Sequence, residues 1–228
     1  MSPRRVVLAL LAVLVLGAGC GGGSSSDTDP ADALATAQQK LEDTSGVSLS
    51  LTTNDLPEGV QGLRSASGTV TAAPAYDGIL GVVTDVGSFS VPVKAVGGTV
   101  YARIPLTLGW SSVDPGDYGA PDPSQLISAD KGVPSLLAAT TEPKDGREIR
   151  GGPDNKDVLQ TYTGTVPASA VSAIIPGATG PFSATFALAS DGELRQVELT
   201  GLFYAGGPAN TYTLMLTDYG TSKDITAP

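Results

Sequence analysis

Ser88-Phe89-Ser90-Val91-Pro92-Val93-Lys94-Ala95-Val96, then Gly97-Gly98, then Thr99-Val100-Tyr101-Ala102-Arg103-Ile104 is the stretch whose reading sets the fold. Phe89, Val91 and Val93 recur at every second position, which is the period of a strand with one apolar face. A glycine pair divides this run from the next, so the two strands are joined by a tight turn and must be antiparallel neighbours. Outward from this hairpin the alternation recurs in Val47, Leu49 and Leu51, then in Ser65–Ala73, Gly78–Thr84, Val158–Val166, Phe182–Ala189, Glu193–Leu202 and Thr211–Thr217. Turn chemistry falls at Gly97-Gly98, Asp145-Gly146, Gly151-Gly152, Asp191-Gly192 and Gly206-Gly207. The pattern predicts one long antiparallel meander of about ten strands.

Three segments break the alternation. Asp29 is a plausible N-cap, Pro30 suits the first helical position and Gly46 is a stop, with Leu34, Ala37 and Leu41 on one stripe between them. Pro123–Ala139, in two pieces around Pro134, and Pro167–Ile175 are short helix candidates. Strand twist accumulates, so a sheet this wide must curl or split. With few helices to cover it, the expected class is α+β: a curved antiparallel half-barrel sheet of about ten strands with short helices on its concave face. One Trp, seven Tyr and four Phe are few rings to fill such a concavity. A hollow is therefore expected, and a thin core tightly packed with small residues is the alternative.

The chain opens with Arg4 and Arg5, an apolar run of 11 residues from Val6 to Leu16, and Gly17-Ala18-Gly19. This is the layout of a secretory signal over residues 1–19, and the run is shorter than the ~20 residues of a spanning helix. Cys20, the only cysteine, follows directly and precedes Gly21-Gly22-Gly23-Ser24-Ser25-Ser26. That arrangement resembles a lipobox, although Gly17 occupies the place three before the cysteine where Leu or Val is usual. The expectation is a diacylglyceryl anchor on Cys20, on the extracytoplasmic face of the cell membrane, with residues 20–29 as a flexible tether. Ordinary secretion with a free N-terminal cysteine is the alternative. One domain follows over residues 30–220, with 221–228 as a C-terminal tail.

Removing residues 1–19 takes two of 13 basic residues and none of 23 acidic ones, leaving a net charge of −12. Such a surface repels phosphate backbones, so nucleic acid is not an expected partner, and membrane attachment must come from the lipid on Cys20. The chain has no histidine, so the usual general base and commonest metal ligand are missing. Ser128 and Lys131 match a Ser-x-x-Lys spacing that arises readily by chance and reads better as a loop. Asp154-Asn155-Lys156-Asp157 lacks the spacing of a calcium loop and reads as a solvated turn. Asp114 and Asp117 are a conceivable carboxylate pair inside a Pro/Gly turn. No enzyme, cofactor or metal site is expected.

The blocks Gly98-Thr99-Val100-Tyr101-Ala102, Trp110 through Pro123, Gly132-Val133-Pro134-Ser135-Leu136-Leu137, Thr161 through Pro167 and Asp218-Tyr219-Gly220, in this order and spacing, resemble the actinobacterial LppX/LprA/LprF/LprG lipoprotein family across the mature chain. The resemblance implies a half-barrel similar to the lipoprotein carrier LolA, without a catalytic motif. It also implies ligands that are acylated lipids or glycolipids of the phosphatidylinositol mannoside, lipoarabinomannan or triacylglycerol type, carried or presented across the cell envelope. Any exporter or acceptor is left unspecified.

A lining for acyl chains must be aliphatic, because exposed methylenes cost ~0.8 kcal/mol each. Helix-side candidates are Leu34, Ala37, Leu41, Leu126, Leu136, Leu137, Ile174 and Ile175. By alternation the sheet side supplies Val47, Leu49, Leu51, Val70, Leu80, Val82, Phe89, Val91 and Val93. Trp110 and Tyr118 are candidates for the pocket mouth or for plain packing. Lys94, Arg103, Lys131, Lys144 and Arg147 are candidates for a headgroup phosphate. The rival to a carrier is a surface-tethered protein-interaction domain with a filled core.

Overall fold

The computed structural model describes residues 28–228 except 54, 55, 119, 153, 154 and 205. The expectations for the signal, for Cys20, for most of the tether and for Asp154 fall outside the described residues. Helix α1 runs Pro30–Asp43. The Asp29 carboxylate accepts the Ala31 N–H at 2.8 Å, and Pro30 supplies a fixed φ at the first turn. Ala33, Leu34, Ala37 and Leu41 are buried along one stripe. The helix stops at Thr44, whose hydroxyl donates to Gly46 O and accepts the Gly220 N–H at 2.9 Å, tying its end to the far end of the chain.

Strands β1 (Gly46–Thr52), β2 (Gly62–Thr71), β3 (Ala75–Thr84), β4 (Gly87–Val96), β5 (Thr99–Ala102) and β6 (Ser111–Val113) form one meander. Two 3-10 turns, Pro115–Tyr118 and Pro123–Gln125, lead to α2 (Val133–Ala139). Strands β7 (Thr141–Gly151) and β8 (Asp157–Val166), helix α3 (Ala168–Ile174), and strands β9 (Thr179–Leu188), β10 (Leu194–Leu202) and β11 (Asn210–Thr217) complete the described fold. The two halves join where β1 pairs with β11, giving an 11-stranded sheet in the order β6-β5-β4-β3-β2-β1-β11-β10-β9-β8-β7. All these pairs are antiparallel, and the order ends in two unpaired edges, so the sheet is curved and unclosed.

Three expectations are corrected. Strands β6 and β7 were not read from the alternation, and Asp145-Gly146 lies inside β7 rather than at a turn. Strand β7 is an edge: its side chains are mostly exposed and polar, and it slips register twice against β8, so it shows no period of two. Side chains from β8 stitch this irregular edge: Gln160 Nε2 donates to Gly146 O at 2.9 Å and Thr161 Oγ1 to Arg147 O at 2.6 Å. The segment Pro123–Ala139 does divide, but its first piece is only a 3-10 turn. The division comes before Pro134, which sits in the first turn of α2, where a missing N–H is harmless.

The C-terminal residues lie against the sheet. Lys223 Nζ reaches Asp77 Oδ2 at 2.9 Å, Lys94 Nζ donates to Thr226 O at 3.4 Å, and Ile225 is buried.

Candidate functional site

Register places the apolar alternations of the first meander on one face. Val47 faces Val70 across β1–β2, and Leu51 faces Ala66. Ala66 faces Leu80, Val70 faces Tyr76, and Leu63 faces Val82. Leu80 in turn faces Val91, and Val82 faces Phe89. Val93, two residues on, faces Ala102. The second meander continues the surface through Leu49–Leu216, Leu51–Leu214, Leu214–Val197 and Val197–Phe186. Helix α1 packs over the second meander at β7 and β10 and α3 packs on β9, with α2 lying chiefly against α1, while the 3-10 turn Pro123–Gln125 lies against β2, β3 and β4 of the first meander. Leu34, Ala37, Leu41, Leu136, Leu137 and Ile174 are buried in the common core, while Leu126 and Ile175 pack on its margin. Apart from Val82 and Phe89, the aliphatic residues singled out from the sequence therefore meet in one cluster or at its edge.

Burial along this wall is graded. At the end where β2 finishes and β3 begins, Val70 and Tyr76 are fully buried, as are Val47, Ala95 and Val93. Toward the other end Leu51, Leu63, Leu80, Val82, Phe89 and Val91 are only half-buried. The first end is closed and the second forms a mouth. Around the mouth stand the β1–β2 loop, the β3–β4 turn and the β5–β6 and β10–β11 loops, because alternate antiparallel connections fall at the same end of a sheet.

The hollow expected from the low aromatic content is not open at the closed end, because the few rings sit there or across the second meander. Tyr76, Phe182 and Phe186 are each fully buried, as are Leu41, Leu194 and Leu216. Backbone bare of side chains accommodates these rings: a Cβ on Gly78 would come within 2.3 Å of Tyr76 Oη, and one on Gly201 within 2.2 Å of the Phe182 ring. Tyr76 Oη donates to Ser67 O at 3.0 Å, which satisfies its one polar atom inside the wall. Near the mouth, Phe203 meets the Phe182 and Tyr212 rings edge-on. Tyr212 Oη donates to Leu63 O, and the Tyr204 hydroxyl must then donate to Tyr212 at 2.6 Å. Asn210, at the start of β11 and on the same face as Tyr212 and Leu214, is buried with neither amide atom partnered by protein.

Two depressions are notable on the surface of the described residues. One, about 140 Å³, lies at the mouth between Arg64, Val82 and Phe89. The other, about 530 Å³, lies at the closed end against the C-terminal segment, lined by Thr71, Ala75, Val96, Gln125, Lys223 and Ile225. Neither lies between the helices and the wall.

The polar candidates are not brought together. Lys94 reaches the C-terminal segment, Lys144 and Arg147 are exposed on edge strand β7, Lys131 is exposed before α2, and Arg103 is exposed after β5. Ser128 Oγ donates to Gln125 O at 2.8 Å and accepts from the Lys131 backbone N–H, so the serine braces a turn and the lysine's ammonium is not its partner. Asp114 Oδ1 accepts the Gly116 N–H at 2.8 Å, and both Asp114 and Asp117 are exposed. Among the described residues no cluster of metal-ligating side chains occurs. Trp110 is half-buried and Tyr118 is exposed. Sequence reading missed Tyr212, Leu214 and Leu216, although they alternate as plainly as Val47, Leu49 and Leu51. It also missed Ala66 and Ala102, whose small side chains carry little hydrophobic signal.

The LppX_LprAFG lipoprotein family model matches residues 29–227. The chain belongs to the LppX_LprAFG lipoprotein family. LprF from Mycobacterium bovis, another protein of this architecture, superposes with a TM-score of 0.69 at 17% identity, over 87% of this chain and 96% of its own. The lipoprotein LppX from Mycobacterium tuberculosis gives 0.64 at 22%, over 88% and 100%. At those identities the likeness to the two solved structures is one of fold. None of the curated proteins matches the chain.

Proposed function

We propose that this protein is an envelope lipoprotein, anchored on the extracytoplasmic face through a diacylglyceryl group on Cys20, that binds acylated lipid or glycolipid along its apolar wall. It carries or presents that lipid across the envelope and performs no covalent chemistry on it. The observation that carries the reading is the graded wall: one continuous aliphatic surface, sealed at one end and half-exposed from Leu51 to Phe89 at the other.

Magnitudes favour uptake despite the filled closed end. An acyl tail of about 15 methylenes gains ~12 kcal/mol on leaving water, enough to offset separating several side-chain contacts between the helical layer and the wall. Tails enter from the mouth as that layer shifts, and the aliphatic lining accepts phosphatidylinositol mannoside, lipoarabinomannan or triacylglycerol types by their chains alone. Asn210 supplies an unpartnered amide for an ester carbonyl near the mouth.

Native mass spectrometry of the purified protein, with extraction of bound lipid and uptake of a fluorescent acyl probe, tests the reading. Bound acyl lipid is expected, and Leu80→Asp with Val91→Asp should reduce probe uptake at least tenfold while leaving the circular dichroism spectrum unchanged. A ligand-free protein that takes up no probe would instead make it a tethered interaction domain.

A further inference from the structure

We infer that the mouth docks on lipid bilayers by inserting the aliphatic side chains of two turns, and that the β5–β6 loop leads the insertion. The inference rests on the carrier reading and adds to it the surface from which lipid is taken or to which it is delivered.

Leu106 and Leu108 are 104% and 105% exposed, and Val86 is 78% exposed. These three share one end of the molecule. Strand β4 starts at the mouth, and β5 runs antiparallel to it, so the loop after Ala102 heads back toward the mouth as the β3–β4 turn does. Two leucines extended fully into water at a loop tip contribute nothing to the folded core. The backbone at Leu106 is also costly: its φ is +70°, a conformation natural to Gly or Asn and unfavourable for leucine. Nothing in the packing of the domain accounts for leucine at that place.

A bilayer is the occupant that fits. The tips lie on separate connections, which suits a deformable hydrocarbon layer better than the close complementarity of a protein groove. The apolar surface continues inward: Ile104, two residues before the tip, and Val91 both pack on the core margin, and Val93 of the same strand as Val91 is buried in the core. A tail leaving the bilayer would therefore pass from one apolar surface to the next. Trp110, the sole tryptophan, closes the same loop and is half-buried, a placement suited to the interfacial zone. Charge is not the attraction, because exposed Arg64 and Arg103 at the mouth are accompanied by exposed Asp85 and Glu58. The tether permits the posture: ten residues from Cys20 to Asp29 reach up to ~35 Å, about the length of a ten-residue strand.

The experiment uses the chain from residue 20 with Cys20→Ser, so that no acyl anchor masks weaker contacts, and neutral phosphatidylcholine vesicles. The expected result is co-flotation with vesicles, a blue shift of Trp110 emission, and little change between low and high salt. Leu106→Asn with Leu108→Asn, which also suits the left-handed backbone, should weaken vesicle binding at least tenfold and abolish the shift. Val158→Asn, at an exposed valine near the closed end, should change neither. Unaltered flotation and emission in the double variant would overturn the inference, as would absence of wild-type binding or binding that disappears with salt. Uptake of acyl probe from solution is measured in parallel and decides the carrier reading alone, since the tips lie outside the wall.

Discussion

Tyr76 shows how single residues shape this wall. Its ring lies over Gly68 and Gly78, and its hydroxyl reaches Ser67 O, so the largest fully buried side chain of the first meander is held where its own strand and the adjacent β2 carry no Cβ. Alternation marks position 78 as inward-facing, but it does not say that a tyrosine from the same strand fills the place. Gly78→Val would force the ring out of its seat and leave its hydroxyl unsatisfied. The expected cost is about 1–3 kcal/mol, read as a lower urea midpoint with an unchanged m-value. A variant as stable as the parent would show that the ring has another seat.

At the scale of elements, α1 is the piece that both folds and covers. Leu41 is fully buried on the stripe that also carries Leu34 and Ala37, in one core cluster with residues of strands from both ends of the chain. Leu41→Ala should lower stability by about 2–5 kcal/mol, measured by chemical unfolding. The same change loosens the lid over the wall, so probe uptake should become faster even as the fold weakens. This helix was fully legible in the sequence because its cap, its proline and its stripe agree. So were the strands with one buried face, from Val47 through Val93, where parity is enforced by the core. What was not legible has physical reasons. Strand β7 faces water along its length and lacks a period. Strand β6 has three residues, too few to show one. The filled closed end depends on where a few rings point, and the exposed leucines depend on a loop's direction; composition encodes neither.

For the whole molecule, alkaline pH probes how evenly the interior is sealed. Burial is the main cause that lifts the hydroxyls of Tyr76, Tyr212 and Tyr219 well above their usual range. The nearby Asp77 adds to it at Tyr76, the Tyr204 hydrogen bond at Tyr212, and Glu193 at Tyr219, where Arg195 partly opposes. In the unfolded chain these phenols ionise near ~10. The folded state holds their protons longer, so their contribution to stability is complete below that value and is lost as pH rises above it. Unfolding midpoints should be flat from neutral pH to about 10 and then fall. Phenolate absorbance should show these tyrosines ionising only as the circular dichroism signal collapses. Smooth titration of every tyrosine in a still-folded protein would contradict this.

The pairing of β1 with β11 sets the timing of assembly. The first strand borders the last, and no other described strand pair joins the two meanders. A chain emerging N-terminus first can build its first meander early, yet one side of β1 stays without a neighbour until Asn210–Thr217 has followed. Closure of so distant a contact is entropically slow. Until then β1 is an open adhesive edge, so premature arrest of synthesis would yield fragments prone to clumping, and a late chaperone contact along that edge would protect the nascent protein.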